Sequence, residues 1–197
     1  VNSLYHSYED ILSKLSTWNE EFGSKNHPFY NSIVYKLDTI GVSTNENLPI
    51  LAVKLSINSN REEDVPRVLI LGQCHAEEIL GVEMSMSFID WLLHPSDSGS
   101  QWGNFELPMF MHNLEIWIVP THNPEGLRVV HGYSDVNGNW IQDESYRKNK
   151  TDVNGNGIFD YSAFHENGGL AGEDLDGVDL NRNYGLNWDG GDSLYVP

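Results

Sequence analysis

Apolar side chains in the first part of the chain recur with two different periods. Between residues 8 and 22 they recur every three or four positions, which predicts an amphipathic helix. Its apolar face carries Ile11, Leu12, Leu15, Trp18 and Phe22. Residues 33–40 alternate between apolar and polar, and a second apolar run at 50–57 follows the turn residues of 41–47. These two segments predict an antiparallel β-hairpin.

A continuous apolar run at residues 67–71 predicts a different kind of strand, one that is buried on both faces. Residues 77–93 then have helical periodicity, and another apolar run at 114–119 ends at Pro120. Strand, helix and strand in this order predict a parallel βαβ unit. We therefore predict an α/β fold with a mixed, mostly parallel sheet and helices on both faces.

The amino-acid composition and the net charge exclude several classes of binding partner. The chain has 197 residues and a formal net charge of −18, from 11 Lys and Arg against 29 Asp and Glu. Such a surface is repelled by nucleic-acid backbones and by anionic membranes. No apolar run reaches the roughly 20 residues of a membrane span, and the single cysteine, Cys74, excludes an intramolecular disulfide. We expect a folded acidic protein with no nucleic-acid partner and no membrane span.

A candidate metal-binding pair follows the apolar run at 67–71. His75 and Glu78 are three residues apart at the predicted junction of strand and helix, where ligands bind in open α/β sheets. An imidazole and a carboxylate at this spacing can share one zinc ion. The same spacing also fits the capped start of an ordinary helix, so the pair by itself leaves both interpretations open.

A second polar motif lies at residues 176–184. Arg182 has a planar guanidinium suited to a carboxylate, and Asn181 adds an amide donor, so the pair could hold the C-terminal carboxylate of a peptide. A polar turn with a structural arginine is the alternative.

Four motifs in a fixed order resemble the zinc carboxypeptidase family, the M14 type of metallopeptidase. They are His-x-x-Glu at 75–78, Asn-Pro-Glu-Gly at 123–126, Tyr-Arg-Lys-Asn at 146–149 and Gly-Val-Asp-Leu-Asn-Arg-Asn at 177–183. The resemblance extends from about Tyr5 to Asn187 and is specific because the order is kept.

The resemblance implies a zinc-dependent metallocarboxypeptidase that removes C-terminal residues from peptides by means of a metal-activated water. It implies that His75 and Glu78 bind zinc and that Arg147 polarises the scissile carbonyl. It also implies that Asn181 and Arg182 hold the terminal carboxylate of the substrate.

The sequence departs from the family pattern in two respects. No histidine follows Tyr184, so the third zinc ligand and the later general acid/base Glu are absent from these residues. We therefore expect residues 1–197 to be a partial catalytic domain, truncated on its C-terminal side and inactive as given. Many family members have arginine where this chain has Glu77, which leaves the substrate preference open. His122 and His165 are expected to be ordinary surface or loop histidines.

Residues 132–176 are predicted to be an acidic loop insertion that contains calcium-type spacing. Oxygen ligands at positions one, three, five and nine of an Asp-x-Asn-x-Asn-Gly loop, with the carbonyl of position seven, can surround Ca²⁺. The stronger match consists of Asp152, Asn154, Asn156, Ile158 and Asp160. The weaker match consists of Asp135, Asn137, Asn139 and Asp143. Turns rich in Asn and Gly that bind no ion are the alternative.

Two other functions stay open at this point. A relative of the family could hydrolyse non-peptide or cell-wall amides, and a non-catalytic calcium-binding module could retain the fold. The motif context at 123–126 and 177–183 favours the peptidase. The calcium-type loops and the family resemblance lead us to expect a secreted or periplasmic protein, although no signal peptide is visible.

Overall fold

The computed structural model describes residues 4–95, 106–153, 155–157, 159 and 176–185. The larger elements are α1 (Tyr8–Phe22), β1 (Tyr35–Val42), β2 (Pro49–Leu55), β3 (Arg67–Gln73), α2 (Leu80–Leu93), α3 (Glu106–Asn113), β4 (Glu115–Thr121) and α4 (Pro124–His131). Two short strands, β5 (Tyr133–Ser134) and β6 (Trp140–Ile141), and a 3₁₀ helix (Leu180–Arg182) complete the set. Of the helices described, none has the length and apolar character needed to cross a bilayer.

Helix α1 has the bounds that the sequence predicts, and its start is fixed by a capping box. The Ser7 hydroxyl accepts from the Asp10 backbone N–H at 3.1 Å, and the Asp10 carboxylate accepts from the Ser7 backbone N–H at 2.9 Å. The buried face carries Tyr8, Ile11, Leu15, Trp18 and Phe22.

The main sheet has the strand order β1-β2-β4-β3. β1 and β2 form the predicted antiparallel hairpin, β4 pairs antiparallel with β2, and β3 pairs parallel with β4. The mixed sheet and the parallel β3-α2-β4 unit are therefore confirmed. Among the described strands antiparallel pairs outnumber the parallel one, because the hairpin joins the sheet through β2.

One apolar core lies on a single face of this sheet. Side chains of α1 and α2 share it with Val53 and Leu55 of β2 and with Ile116 and Ile118 of β4. These strand residues are two apart, so they point to the same face. The opposite face of β3 is open, with Leu69 62% and Leu71 48% exposed. The expectation that 67–71 is buried on both faces is wrong for the described residues, because β3 lies at the edge of their sheet.

A buried ion-pair cluster lies on that opposite face. Glu115 is 1% exposed, and its carboxylate contacts Lys54 Nζ at 2.7 Å and Arg67 Nε at 2.8 Å. Burial by itself would raise the pKa of Glu115, but the hydrogen bonds from Lys54 and Arg67 outweigh it and lower the pKa to about 2. This carboxylate therefore stabilises the sheet in its ionised form.

Helix α2 begins three residues later than the sequence predicts. Residues 75–79 instead form successive turns, in which Glu78 N donates to His75 O at 3.1 Å and Gly81 N donates to Glu78 O at 3.2 Å. A Cβ on Gly81 would lie 2.6 Å from the carbonyl oxygen of Gly72, so the two glycines allow the helix to approach the end of β3. The turns place His75 and Glu78 outside the regular helix.

Candidate metal centre

His75 and Glu78 lie at the carboxyl end of β3, as predicted, and their side chains face each other. His75 is 6% exposed, and its Nδ1 atom lies 3.0 Å from Glu78 Oε1. The two atoms are in ion-pair range without hydrogen-bond geometry, so Nδ1 is a buried nitrogen with no hydrogen-bond partner among the described residues. Two ligand atoms of one tetrahedral zinc ion lie about 3.3 Å apart for bonds of about 2.0 Å. The donor pair therefore fits a zinc ion.

Asp179 approaches the other nitrogen of the same ring. Its Oδ1 atom lies 3.2 Å from His75 Nε2. Nε2 can donate to Asp179 or accept from Arg147, depending on the tautomer, and the tautomer that leaves Nδ1 free for a metal is the one that donates to Asp179. A carboxylate behind a ligating imidazole fixes its tautomer and orientation. The sequence analysis assigned Asp179 no role, although it lies inside the motif at 177–183.

Arg147 lies against the same group of side chains. Its Nε donates to Asp179 Oδ2 at 2.9 Å, its Nη1 donates to Glu77 Oε1 at 3.3 Å, and its Nη2 lies 2.8 Å from His75 Nε2. Burial disfavours the charged form of Arg147, but Asp179 and Glu77 outweigh this and raise the pKa of the guanidinium. Burial also works against the charged form of Asp179, yet the hydrogen bond from Arg147 keeps the pKa of Asp179 below its usual range.

The charges at this centre favour a divalent cation. Glu77, Glu78 and Asp179 surround the single guanidinium of Arg147, which leaves two negative charges in excess. A divalent ion between His75 and Glu78 would neutralise that excess. In the part of the chain that the structure describes, however, no group of three or more His, Cys, Asp or Glu side chains is placed to hold a metal.

Asn123 connects the two loops that carry His75 and Arg147. Its Nδ2 group donates to Cys74 O and to Lys148 O, both at 3.0 Å. Its Oδ1 accepts from Gly126 N at 3.1 Å and so caps α4. The backbone adds a further link, because Ala76 N donates to Arg147 O at 3.1 Å. Asn123, at the start of the Asn-Pro-Glu-Gly motif, thus sets the distance between the loop of His75 and the loop of Arg147.

A second set of hydrogen bonds, two between backbone groups and one to a side chain, aligns residues 146–151 with residues 177–179. Asn149 N donates to Val178 O at 3.1 Å, and Val178 N donates to Asn149 Oδ1 at 2.8 Å. Gly177 N donates to Thr151 O at 2.8 Å. Gly177 has φ +87°, and a Cβ there would lie 2.6 Å from the Tyr146 hydroxyl. This pairing brings Asp179 to Arg147.

Asn181 and Arg182 follow directly in the 3₁₀ helix. Asp179 caps that helix, because its Oδ1 accepts from Asn181 N at 2.9 Å. Asn181 and Arg182 are both exposed, so solvent reaches the predicted carboxylate-binding groups beside the centre. Their role in binding a substrate stays a prediction.

The ring of His122 is more buried than the sequence analysis predicts. It does lie in the turn after β4, but both ring nitrogens are buried and neither has a hydrogen-bond partner among the described residues. Burial is the main cause that lowers the pKa of His122, and a positive charge on His75 would act in the same direction. His165 lies outside the described residues.

The acidic loops use their carboxylates internally. Asp135 accepts from Asn137 N at 2.9 Å and Asn139 N at 2.7 Å, and Asp143 accepts from Ser145 N at 2.8 Å. Asp152 accepts from Gly155 N at 2.6 Å and Gly157 N at 2.7 Å. Asn156 lies in a described segment, whereas Asn154, Ile158 and Asp160 lie outside it. The calcium sites find no support in these contacts and stay predictions.

Comparison with known proteins identifies the family to which the four motifs point. A profile of the zinc carboxypeptidase family, peptidase M14, matches residues 28–195, which include all four motifs. A curated zinc carboxypeptidase from Saccharothrix mutabilis subsp. capreolus is 26% identical over 184 residues, which are 93% of this chain and 33% of that protein. The chain thus spans about a third of the length of this relative.

Two solved structures have the same fold. Carboxypeptidase A from Helicoverpa armigera superposes with a TM-score of 0.64 at 24% identity, covering 93% of this chain and 34% of its own. Bovine thrombin-activatable fibrinolysis inhibitor, in complex with tick carboxypeptidase inhibitor, superposes with a TM-score of 0.57 at 19% identity, covering 92% and 43%. Because the family profile matches most of the chain, this protein belongs to the zinc carboxypeptidase family.

Proposed function

We propose that the protein is a zinc-dependent carboxypeptidase that removes C-terminal residues from peptides. The observation that carries the proposal is His75: its Nδ1 is buried, has no hydrogen-bond partner among the described residues and faces Glu78, while its Nε2 faces Asp179. His75 and Glu78 would hold the ion, and Asp179 would keep the imidazole in the tautomer that can bind it. When bound, zinc supplies a Lewis acid for the carbonyl and lowers the pKa of a water.

Arg147 would stabilise the negative charge that develops on the scissile carbonyl oxygen. A guanidinium is positively charged at any physiological pH, and the contacts of Arg147 with Asp179 and Glu77 restrict its orientation. A fixed positive donor at such a position typically contributes about 10²- to 10³-fold in kcat. Arg147 would act from a position that Asn123 sets through Lys148 O.

Asn181 and Arg182 would select peptides with a free C-terminus. A guanidinium can bind a carboxylate through two parallel hydrogen bonds, and an amide adds a third donor. Both residues are exposed and directly follow Asp179, which contacts Arg147 and His75. This order along the chain would place the terminal carboxylate next to the reacting carbonyl.

The test uses the full-length protein that contains this chain. Zinc content is measured by mass spectrometry, and hydrolysis is measured on one peptide with a free and with an amidated C-terminus. We expect hydrolysis of the free peptide only. His75→Ala should lose zinc and activity, and the matched variant His112→Ala, at an exposed position, should keep both. Wild-type zinc content and hydrolysis in His75→Ala would refute the proposal.

The calcium sites and the secreted or periplasmic location stay predictions. Calorimetric titration with Ca²⁺ tests the stronger loop, with Asp152→Asn as the variant. Binding heat in the wild type that the variant lacks would support a calcium site, and equal traces would argue against it.

A further inference from the structure

One carboxylate oxygen of Glu77 accepts no hydrogen bond from the part of the chain that the structure describes. Its Oε1 accepts from Arg147 Nη1 at 3.3 Å, whereas its Oε2 is buried and has no hydrogen-bond partner among the described residues. A buried acceptor without a donor is unfavourable and uncommon in folded proteins. The Glu77 side chain as a whole is 28% exposed, and rotation about its terminal bond exchanges the two oxygens. A molecule bound at the centre can therefore reach this carboxylate.

The other carboxylates of the centre already have functions in the proposed site. Glu78 faces the Nδ1 atom of His75, and Asp179 contacts both His75 and Arg147. One divalent ion would neutralise the two negative charges in excess. One oxygen of the Glu77 carboxylate could still accept a hydrogen bond. Glu77 therefore remains as the acidic group available to a substrate.

Contact with Arg147 indicates which part of a substrate Glu77 would meet. In the proposed function Arg147 faces the scissile carbonyl, and that carbonyl belongs to the residue preceding the cleaved bond. The C-terminal residue extends instead toward Asn181 and Arg182. A side chain near Glu77 therefore comes from the residue that precedes the cleaved bond.

We propose that Glu77 is a specificity-determining residue that selects peptides with a cationic side chain, an ammonium or a guanidinium, on the residue preceding the cleaved bond. This proposal rests on the proposed carboxypeptidase function. A charge-assisted hydrogen bond to a partly exposed carboxylate should change kcat/KM by about tenfold. Glu77 could alternatively serve only to position Arg147, and the experiment must separate these roles.

The experiment compares two peptides that differ only in the residue preceding the cleaved bond, lysine or norleucine. The full-length wild type should hydrolyse the lysine peptide with a kcat/KM about tenfold higher. Glu77→Gln should reduce that ratio to about twofold or less. Because Glu77 also contacts Arg147, the variant should lower kcat/KM for both peptides, and the larger loss should fall on the lysine peptide. Glu62→Gln removes the same charge from an exposed loop and should keep the wild-type ratio. Zinc content is measured in each variant.

The affinities of the same peptides are measured in parallel by fluorescence anisotropy, so that binding is assessed independently of hydrolysis. The preference for lysine should appear there as well and should disappear in Glu77→Gln. An equal loss for both peptides in Glu77→Gln would assign Glu77 to positioning Arg147 and overturn the proposal, as would the absence of a lysine preference in the wild type. If neither peptide is hydrolysed, the carboxypeptidase function fails, while the binding preference still decides the role of Glu77.

Discussion

Replacement of Asn123 by alanine should destabilise the protein and also weaken zinc binding at the proposed metal centre. Asn123 is 2% exposed and makes three side-chain hydrogen bonds to three separate segments. Alanine removes all of them. Two partly buried carbonyl groups, those of Cys74 and Lys148, lose this donor, and α4 loses its cap.

The magnitude follows from these three bonds. Loss of a helix cap costs about 1 kcal/mol. Each hydrogen bond lost by a partly buried carbonyl costs about 1 kcal/mol. We therefore expect Asn123→Ala to lower the free energy of unfolding by about 3 kcal/mol. Because the lost bonds link the loops of His75 and Arg147, zinc affinity should fall as well.

Urea denaturation measures the first effect, and competition with a chromophoric chelator measures the second. Asn60→Ala, at an exposed position, should change the unfolding free energy by less than about 0.5 kcal/mol. Asn123→Asp keeps an acceptor for Gly126 N but cannot donate to the two carbonyls, so it should be at least as destabilising as alanine. A loss below about 1 kcal/mol in Asn123→Ala, together with wild-type zinc affinity, would refute the reasoning.

Three further perturbations test other parts of the structure. Asp179→Asn should lower zinc affinity about 10- to 100-fold in a chelator competition. Unchanged affinity would show that Asp179 has no role in zinc binding. Glu115 has a pKa of about 2 when folded, so its ionised form stabilises the protein above about pH 4.5 and less as pH falls toward 2. At pH 7 we therefore expect the wild type to exceed Glu115→Gln in unfolding free energy by about 2 kcal/mol. This difference should narrow below pH 4.5. A difference that stays constant with pH in urea denaturation would contradict the prediction. Gly177→Ala should cost about 2 kcal/mol or more in the same assay, whereas Gly185→Ala, which has open space, should be neutral; equal effects would contradict the close packing at Gly177.

Local patterns were sufficient for the elements that bury one apolar face. The periodicity of α1, the hairpin of β1 and β2, and the apolar runs of β3 and β4 all give the observed elements. Two helices were missed. α3 has eight residues, and α4 is equally short, so neither has enough turns for a clear period. α4 nevertheless carries a recognisable start, because Asn123 caps it and Pro124 occupies its first position.

The motifs identified the candidate ligand pair and the arginine. They could not predict which other side chains contact these residues. His75 and Glu78 are three residues apart, so their proximity follows from local geometry. The contact of His75 with Asp179 spans 104 positions in the chain, and no periodicity encodes such a distance. Glu77 was noticed only as a departure from the family pattern, and its pairing with Arg147 follows from the loops that Asn123 joins.

The sequence by itself therefore determined the family, the order of the strands and helices that carry its motifs, and the pair of donors suited to zinc. These depend on residue types and on the spacing of neighbouring residues, and both can be read directly from the sequence. Tertiary structure alone decided which charges meet. Asp179 and Glu77 reach Arg147 because backbone bonds align residues 146–151 with 177–179 and because Asn123 holds the two loops together. Long-range hydrogen bonds of this kind form only after the chain has folded, since each joins groups that are distant in sequence.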